Sequence, residues 1–296
     1  MFSRDIAEVR RQWGFTGPLW SYIDVLKPRE TALLTFIGVC SAVVAGGGYP
    51  PLRNLVISFL AIAVGSAGCN GFTNYLDRHV DTRMRRTRHR ALPSGRILPA
   101  ENMLPLTGGL VVVGLSLAWW LHPFCFVGGL VGTLAAVTWR KRVTCVFPQG
   151  AIAGCAPVLI GWFAINPSPG WGILFLCLLV SVWIPVHVWS VITANQEDYY
   201  QAGLRYFPVT WRAADVIKIL LALSGFLVLM SIALYFFVDF GWLYLGSALF
   251  LGLLTTGATV RLLWSKATRD AWRLYKISAF PYLGLLFLAM CLDLWI

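Results

Sequence analysis

Residues 54–81 read NLVISFLAIAVGSAGCNGFTNYLDRHVD. Positions 54–76 hold no Asp, Glu, Lys or Arg, and about 20 apolar residues suffice for a helix to cross the hydrocarbon core of a bilayer. The run then ends in two carboxylates and a cation, Asp77, Arg78 and Asp81. This segment predicts a membrane-crossing helix with a polar site at its end. The rest of the chain agrees. Of 296 residues, 58% are hydrophobic and 12% charged, against roughly 25% charged in an ordinary soluble domain. Mean hydropathy is +0.70. Such a composition excludes a soluble enzyme, a disordered tail and a nucleic-acid-binding arm.

Working outward gives nine candidate crossings, at 31–49, 54–76, 103–121, 124–139, 150–166, 171–194, 215–238, 241–263 and 277–296. The fourth and fifth are short and Gly-rich, suited to tilting or to burial inside the bundle. Residues 1–30 are polar with no early apolar core, so no cleavable signal peptide is expected. Charge tests the count. All Lys and Arg except Arg53 fall at the N-terminus, 78–96, 140–142, 205–218 and 261–276, the alternate ends of the nine segments. The connections near 122–123, 167–170 and 239–240 hold none. Excess Lys and Arg mark the cytoplasmic face, which places the N-terminus inside and residues 293–296 outside. Eleven of the thirteen acidic residues share the basic side, leaving Asp239 and Asp293 opposite. Topology does not require carboxylates, so acids gathered with arginines at one face point to a polar site there. The expected fold is thus an all-α integral membrane protein, a cytoplasmic segment 1–30 followed by one transmembrane domain over 31–296. Acidic pairs end the second segment (Asp77, Asp81) and the sixth (Glu197, Asp198). That spacing suggests two four-helix halves plus a ninth helix. The seven cysteines form no CxxC pair and read as small core residues rather than a disulfide framework or zinc site.

Two constellations carry chemistry. On a helix, Asp77 and Asp81 share one face, which Asn70, Thr73 and Asn74 extend backward. Two carboxylates in register with neutral oxygens suit Mg²⁺, which takes one or two carboxylates, waters and phosphate oxygens. The plainer reading is a solvated helix end with Asp77 paired to an arginine. Arg83, Arg85, Arg86, Arg88, Arg90 and Arg96 follow closely, and arginine forks bind phosphate oxygens bidentately. Acid for a metal beside arginine for phosphate is the wiring of a metal–diphosphate site. Contact with anionic lipid accounts equally for several of these arginines. The run has no aromatic interleave, and no nucleic-acid partner is expected. The second constellation is Glu197-Asp198-Tyr199-Tyr200-Gln201-Ala202-Gly203, a source of further metal ligands. Before it, Trp183-Ile184-Pro185-Val186-His187-Val188-Trp189 sets a proline, expected to kink its helix, beside a histidine inside an apolar run. Ionisable groups within a membrane are functional candidates; a histidine hydrogen-bonded to a neighbouring helix is the alternative.

At these residues the chain resembles the UbiA superfamily of intramembrane prenyltransferases, and within it the heme O synthase (protoheme IX farnesyltransferase) family. Leu26-Lys27-Pro28-Arg29 matches that family's TKPR-like start of the first helix. Asp77-Arg78-His79-Val80-Asp81 with Met84, Arg86-Thr87, Arg90 and Leu92 resembles its D-R-x-x-D-x-x-M-x-R-T-x-x-R-P-L signature. Lys141-Arg142, Pro148-Gln149, Gly154, Ala156-Pro157 and Ile160-Gly161-Trp162 match its mid-chain pattern, and Trp183 to Trp189 resembles W-T-P-P-H-F-W. Asp198-Tyr199, Ala202-Gly203 and Pro208-Val209 complete the set in order. The chain departs from the pattern at Thr73 (usually Asn), at Ala91 and Val186 (usually Pro), and at Asn195-Gln196, where a basic residue is usual.

The resemblance implies a UbiA-like bundle in a prokaryotic cytoplasmic membrane, with the active site at the cytoplasmic face. It implies farnesyl diphosphate and heme B as substrates, Mg²⁺ as cofactor, and a heme A synthase or terminal oxidase assembly as partner. Carried over, it makes Asp77, Asp81 and Asp198 catalytic metal ligands with Asn70 and Asn74 beside them. Arg86, Arg90, Lys141 and Arg142 then hold diphosphate, and His187, Trp189 and Tyr199 are candidates for heme contact. A UbiA-type enzyme or cyclase acting on a quinone precursor or lipid would share the metal site. A non-catalytic heme-handling or transport protein would instead place polar groups deep in the bundle.

Overall fold

In the computed structural model the described residues are 18–138 and 147–296. Peptide groups in lipid have no water to bond, which leaves a single crossing segment only the helix, where every bond closes internally. The described residues accordingly form helices and no strand. In chain order these are α1 (Pro18–Val25), α2 (Pro28–Ala45), α3 (Leu52–Asp81), α4 (Met103–Leu121), α5 (Pro123–Thr138), α6 (Gln149–Phe163), α7 (Trp171–Ala194), α8 (Gln196–Gln201), α9 (Ala213–Phe237), α10 (Trp242–Ser265), α11 (Thr268–Ile277) and α12 (Leu285–Asp293). A π-helical stretch, Ser278–Gly284, joins α11 to α12, with the break marked by Pro281 and by Ala279 at ψ −134°.

Seven helical stretches are long and apolar enough to cross a membrane: α2, α3, the one ending in α4, α7, α9, α10 and the continuous α11–α12. The fourth and fifth expected segments correspond to α5 and α6, apolar but only 16 and 15 residues long. The final segment differs from expectation. Its helix begins at Thr268, so most of 261–276 is helical rather than a basic connection. The cause is a one-sided pattern: Asp270, Ala271 and Leu274 are buried while Arg269 and Lys276 are exposed. A narrow apolar stripe of that kind escapes a hydropathy window but still packs a helix. The helix α7 continues through Pro185, as α6 does through Pro157.

Neighbouring helices close into a ring, α2–α3–α4–α5–α6–α7–α9–α10–α12 and back to α2, with α2 also lying along α6. Apolar side chains gain nothing by leaving lipid, so close backbone approach at small residues supplies the contact. Where α2 meets α6, a Cβ on Gly38 would lie 2.7 Å from the Pro157 carbonyl oxygen, and one on Gly161 would strike the Gly38 carbonyl. Where α3 meets α4, a Cβ on Gly114 would lie 2.6 Å from the Gly65 Cα. Ser41 Oγ adds a buried hydrogen bond to the Val158 carbonyl, 2.9 Å.

Exposed aromatics ring both ends, as expected at membrane interfaces. Tyr49, Trp119, Trp120, Trp171, Trp242 and Trp295 mark one end, and Trp20, Trp211 and Trp264 the other. The α3 helix has 30 residues, about 45 Å at 1.5 Å per residue, against a hydrocarbon core of about 30 Å. Asp77 and Asp81 lie at the end of this helix, whose length exceeds that core. Gly161→Ala is expected to cost about 1–3 kcal/mol, since the added methyl meets backbone. Gly225→Ala, with nothing within 4 Å of the added carbon, is expected to leave the unfolding midpoint in detergent unchanged or raised.

Candidate active site

Two polar stretches meet at the end reached by Asp81. One is the 82–99 connection after α3; the other is α8 with the 202–212 connection. Asp198 joins them. Its Oδ1 accepts the Arg85 main-chain N–H at 2.7 Å and its Oδ2 that of Arg86 at 3.2 Å. The Arg83 guanidinium donates to the Ala202 carbonyl at 3.4 Å. A small apolar cluster lies beneath, including Val80, Met84, Ile192, Tyr199, Leu204 and Val209. Gln196, where the family pattern has a basic residue, donates to the carbonyls of Pro208, Val209 and Trp211. A neutral amide can bracket three carbonyls there without adding charge.

The clasp places Arg86. Its Nη2 donates to the Tyr199 hydroxyl at 3.2 Å, while its Nε is buried with no hydrogen-bond partner among the described residues. A buried guanidinium N–H left open in this way suits an anionic oxygen. Asp81 is 1% exposed. Its Oδ1 accepts from Thr87 Oγ1 at 3.0 Å and its Oδ2 from Arg90 Nη1 at 3.2 Å. Burial of a carboxylate is tolerable when it is paired and hydrogen-bonded in this manner. Arg78 turns elsewhere, over the Tyr75 ring at 3.9 Å and 3.7 Å from Glu101.

Asp77 and Asp81 lie one turn apart on α3, as expected. Asn74 Nδ2 donates to the Val25 carbonyl at 2.6 Å and Asn70 Nδ2 to Thr31 Oγ1 at 3.0 Å. These bonds anchor α3 to α1 and α2 and leave the amide oxygens as the atoms suited to a cation. Thr73 Oγ1 bonds back to the Asn70 carbonyl at 3.0 Å. Asp198, expected to complete the metal set, accepts one main-chain amide at each oxygen. Among the described residues no three His, Cys, Asp or Glu side chains converge to hold a metal. The donor chemistry still fits Mg²⁺, for which one or two carboxylates beside substrate phosphates are enough. Lys141 and Arg142 lie outside the described residues.

The three candidates for heme contact have different partners. Tyr199 is buried under Arg86. Trp189 meets Phe207 edge to face at 4.6 Å. His187 lies between Trp183 and Tyr275, its ring 4.8 Å and 4.5 Å from theirs at 13° and 25°. Its Nδ1 is 3.1 Å from Ser278 Oγ. Tyr275 and Ser278 escaped the sequence reading. Tyr275 lies within electrostatic reach of Arg86, Arg90, Glu30 and Tyr199, so α11 brings an aromatic from the far end of the chain to the arginines. The available signal was a polar pair one turn apart, Tyr275 and Ser278, at the start of an apolar run. An apolar cavity of about 170 Å³ starts at Asn70 and Thr73 and continues between α3, α4, α5 and α6, past Ile62, Val111 and Leu115.

A ring of apolar helices topped by an acid-and-arginine clasp defines a multi-pass helical membrane protein with its polar groups gathered at one end. The sequence profile of the UbiA prenyltransferase family matches residues 32–288, and the chain belongs to that family. It is 34% identical over 289 residues to a protoheme IX farnesyltransferase of Desulforudis audaxviator, covering 96% of this chain and 91% of that one. A protoheme IX farnesyltransferase of Symbiobacterium thermophilum is also 34% identical, over 279 residues, covering 92% of this chain and 93% of that one. Among solved structures, digeranylgeranylglyceryl phosphate synthase superposes with TM-score 0.75 at 16% identity, covering 94% of this chain and 98% of that one. A UbiA homolog from Archaeoglobus fulgidus bound to GPP and Mg²⁺ gives 0.62 at 16% identity, covering 93% and 100%. These structures share the fold.

Asp198→Asn keeps one acceptor oxygen and leaves one of the two amides without its partner. The change is expected to cost about 1–3 kcal/mol and to speed hydrogen exchange at residues 83–88. Gln201→Ala, which removes an exposed bond to Glu197, is expected to leave exchange there unchanged.

Proposed function

We propose that the protein transfers the farnesyl group of farnesyl diphosphate to a vinyl group of heme B, with addition of water and release of diphosphate, giving heme O. The observation that carries this reading is the likeness, over nearly the whole chain, to relatives named protoheme IX farnesyltransferase. The clasp supplies the chemistry. Diphosphate leaves only when its growing charge is met, and donors fixed beforehand where charge develops do this at least cost. Arg86, held by Asp198 through its amide and by Tyr199 through its side chain, offers its Nε and Nη groups to the phosphate oxygens. Arg90, tethered to Asp81, adds a second guanidinium, and the family resemblance adds Lys141 and Arg142 to the diphosphate-binding set. Asp77 and Asp81, with the amide oxygens of Asn70 and Asn74, would hold Mg²⁺, which when bound supplies further neutralisation of the departing diphosphate.

The apolar cavity starting at Asn70 and Thr73 suits the prenyl chain, keeping water from the allylic cation until the heme vinyl electrons attack. Aromatic faces near the site stabilise positive charge, and Tyr275 stacks on His187 within electrostatic reach of Arg86 and Arg90. His187 is the group proposed to contact heme. The same reading puts α5 and α6 in the membrane as two short crossings, for nine in all, with the clasp and N-terminus cytoplasmic. The basic residues clustered at the clasp end support this orientation. The packing of α2 on α6 supports a domain of two four-helix halves plus a final helix.

Incubation with heme B, farnesyl diphosphate and Mg²⁺ is expected to yield a heme heavier by one farnesyl group plus water, read by mass spectrometry. Magnesium-dependent diphosphate release with unchanged heme would move the acceptor to a quinone precursor or a lipid; no release would remove the enzymatic reading. Asp77→Asn is expected to lower turnover roughly 10²–10³-fold. A cysteine at position 168 is expected to react in intact cells with an impermeant reagent added outside; labelling only after the cytoplasm is opened would invert the topology.

A further inference from the structure

We propose that the corner between α10 and α11 is a binding site for the phosphate of an anionic phospholipid, formed by Arg261 and Arg273 and preset by Asp270.

The site is built on a shared acceptor. Asp270 is 5% exposed. Its Oδ1 accepts from Arg261 Nε at 3.1 Å and from Arg273 Nη1 at 2.9 Å. A covered carboxylate is tolerable when it is paired in this way, and here one oxygen serves two guanidinium groups. Arg261 belongs to α10 and Arg273 to α11, yet the common oxygen holds them side by side. The Nη groups of Arg261, and the Nε and Nη2 of Arg273, make no hydrogen bond among the described residues. The two arginine side chains stay 65% and 38% exposed while the carboxylate between them is covered. Adjacent guanidinium groups with open N–H groups form a bracket for a tetrahedral anion, because each fork matches phosphate oxygens.

The surroundings favour an anion. Lys266, Arg269 and Lys276 are exposed nearby, and Asp270 is the one acidic residue in 261–276. Arg269, Arg273 and Lys276 recur at the spacing of one helical face, opposite the buried Asp270, Ala271 and Leu274. The chain turns from α10 into α11 at Lys266, in the left-handed region at φ 49°, where glycine is the usual residue; a lysine there adds charge to the corner. Membrane topology accounts for basic residues at this end. It does not require that two of them share one covered carboxylate.

The location selects the anion. Trp264 is 82% exposed and lies three residues from Arg261 on α10, on the same face. Exposed tryptophans of a membrane protein stand at headgroup level, so the bracket opens at the depth of the lipid phosphates. Basic clusters at that depth attract anionic lipids, whereas a choline headgroup would bring its own cation against Lys266 and Arg269.

The test uses the full chain purified in detergent. Native mass spectrometry is expected to show phosphatidylglycerol retained in preference to phosphatidylcholine of the same acyl chains. Phosphatidylglycerol is also expected to raise the unfolding midpoint, as a ligand of the folded state does. Arg261→Gln combined with Arg273→Gln is expected to weaken its binding roughly 10–30-fold. Arg261→Lys combined with Arg273→Lys keeps both charges and the pairing with Asp270 but removes the forks, and weaker binding than wild type is expected. Lys218→Gln, an exposed cation paired with Asp215 near the start of α9, is expected to bind as wild type does. Equal retention of the two lipids by the wild type overturns the proposal. So does wild-type affinity in the double lysine variant, or a loss in Lys218→Gln as large as in the double glutamine variant, since either would reduce the effect to general charge. Stabilisation by inorganic phosphate equal to that by phosphatidylglycerol would make this a site for free phosphate and overturn the lipid assignment.

Discussion

The polar end of this protein depends on one carboxylate, Asp198, holding two consecutive main-chain amides across the mouth of the bundle. Without that contact, the arginine-rich stretch after α3 keeps its own turns and side-chain ties such as Arg90 to Asp81 and Arg83 to the Ala202 carbonyl, but loses the bond that holds its main chain to α8. With it, Arg86 is presented in a set direction and Tyr199, the next residue after Asp198, receives its guanidinium. The two ends of the clasp come from helices far apart in sequence, so the closed ring below has to form before the clasp can. The bilayer constrains the ring, and the ring constrains the clasp.

Much of this was legible beforehand. The apolar runs located the long apolar helices, because a lipid-spanning segment must be both long and apolar and the two requirements leave a strong mark. What escaped was amphipathic or short. The α11 helix hides its apolar side, Ala271 and Leu274, among Arg269, Arg273 and Lys276, so it read as a loop. The glycines that let α2 meet α6 read only as a Gly-rich stretch, since close approach depends on which faces oppose one another.

The site was legible in composition and less so in wiring. Asp77, Asp81, Arg86, Arg90, Asp198 and Tyr199 all lie at the clasp end, as their sequence clusters imply. Their pairings were not evident. A carboxylate that bonds backbone amides looks the same in sequence as one that bonds side chains, and only the fold tells Asp198 from Asp81. The histidine environment was the least visible part. Tyr275 and Ser278 belong to the last transmembrane stretch, and their meeting with His187 on α7 is a long-range contact that periodicity within one helix cannot encode.

The closure of the ring by α12 bears on biogenesis. This helix follows every other element in the chain, yet it seals α2 against α10. Asp293 accepts the amides of Gly241 and Tyr244 at the start of α10, and Trp295 donates to the Gly48 carbonyl just past α2. Until it inserts, the barrel of helices lacks a stave, and lipid tails have a lateral route between α2 and α10 into the interior of the ring. Expulsion of those lipids then accompanies the seating of α12 between α2 and α10, which makes that step the one where membrane composition has the most leverage over yield.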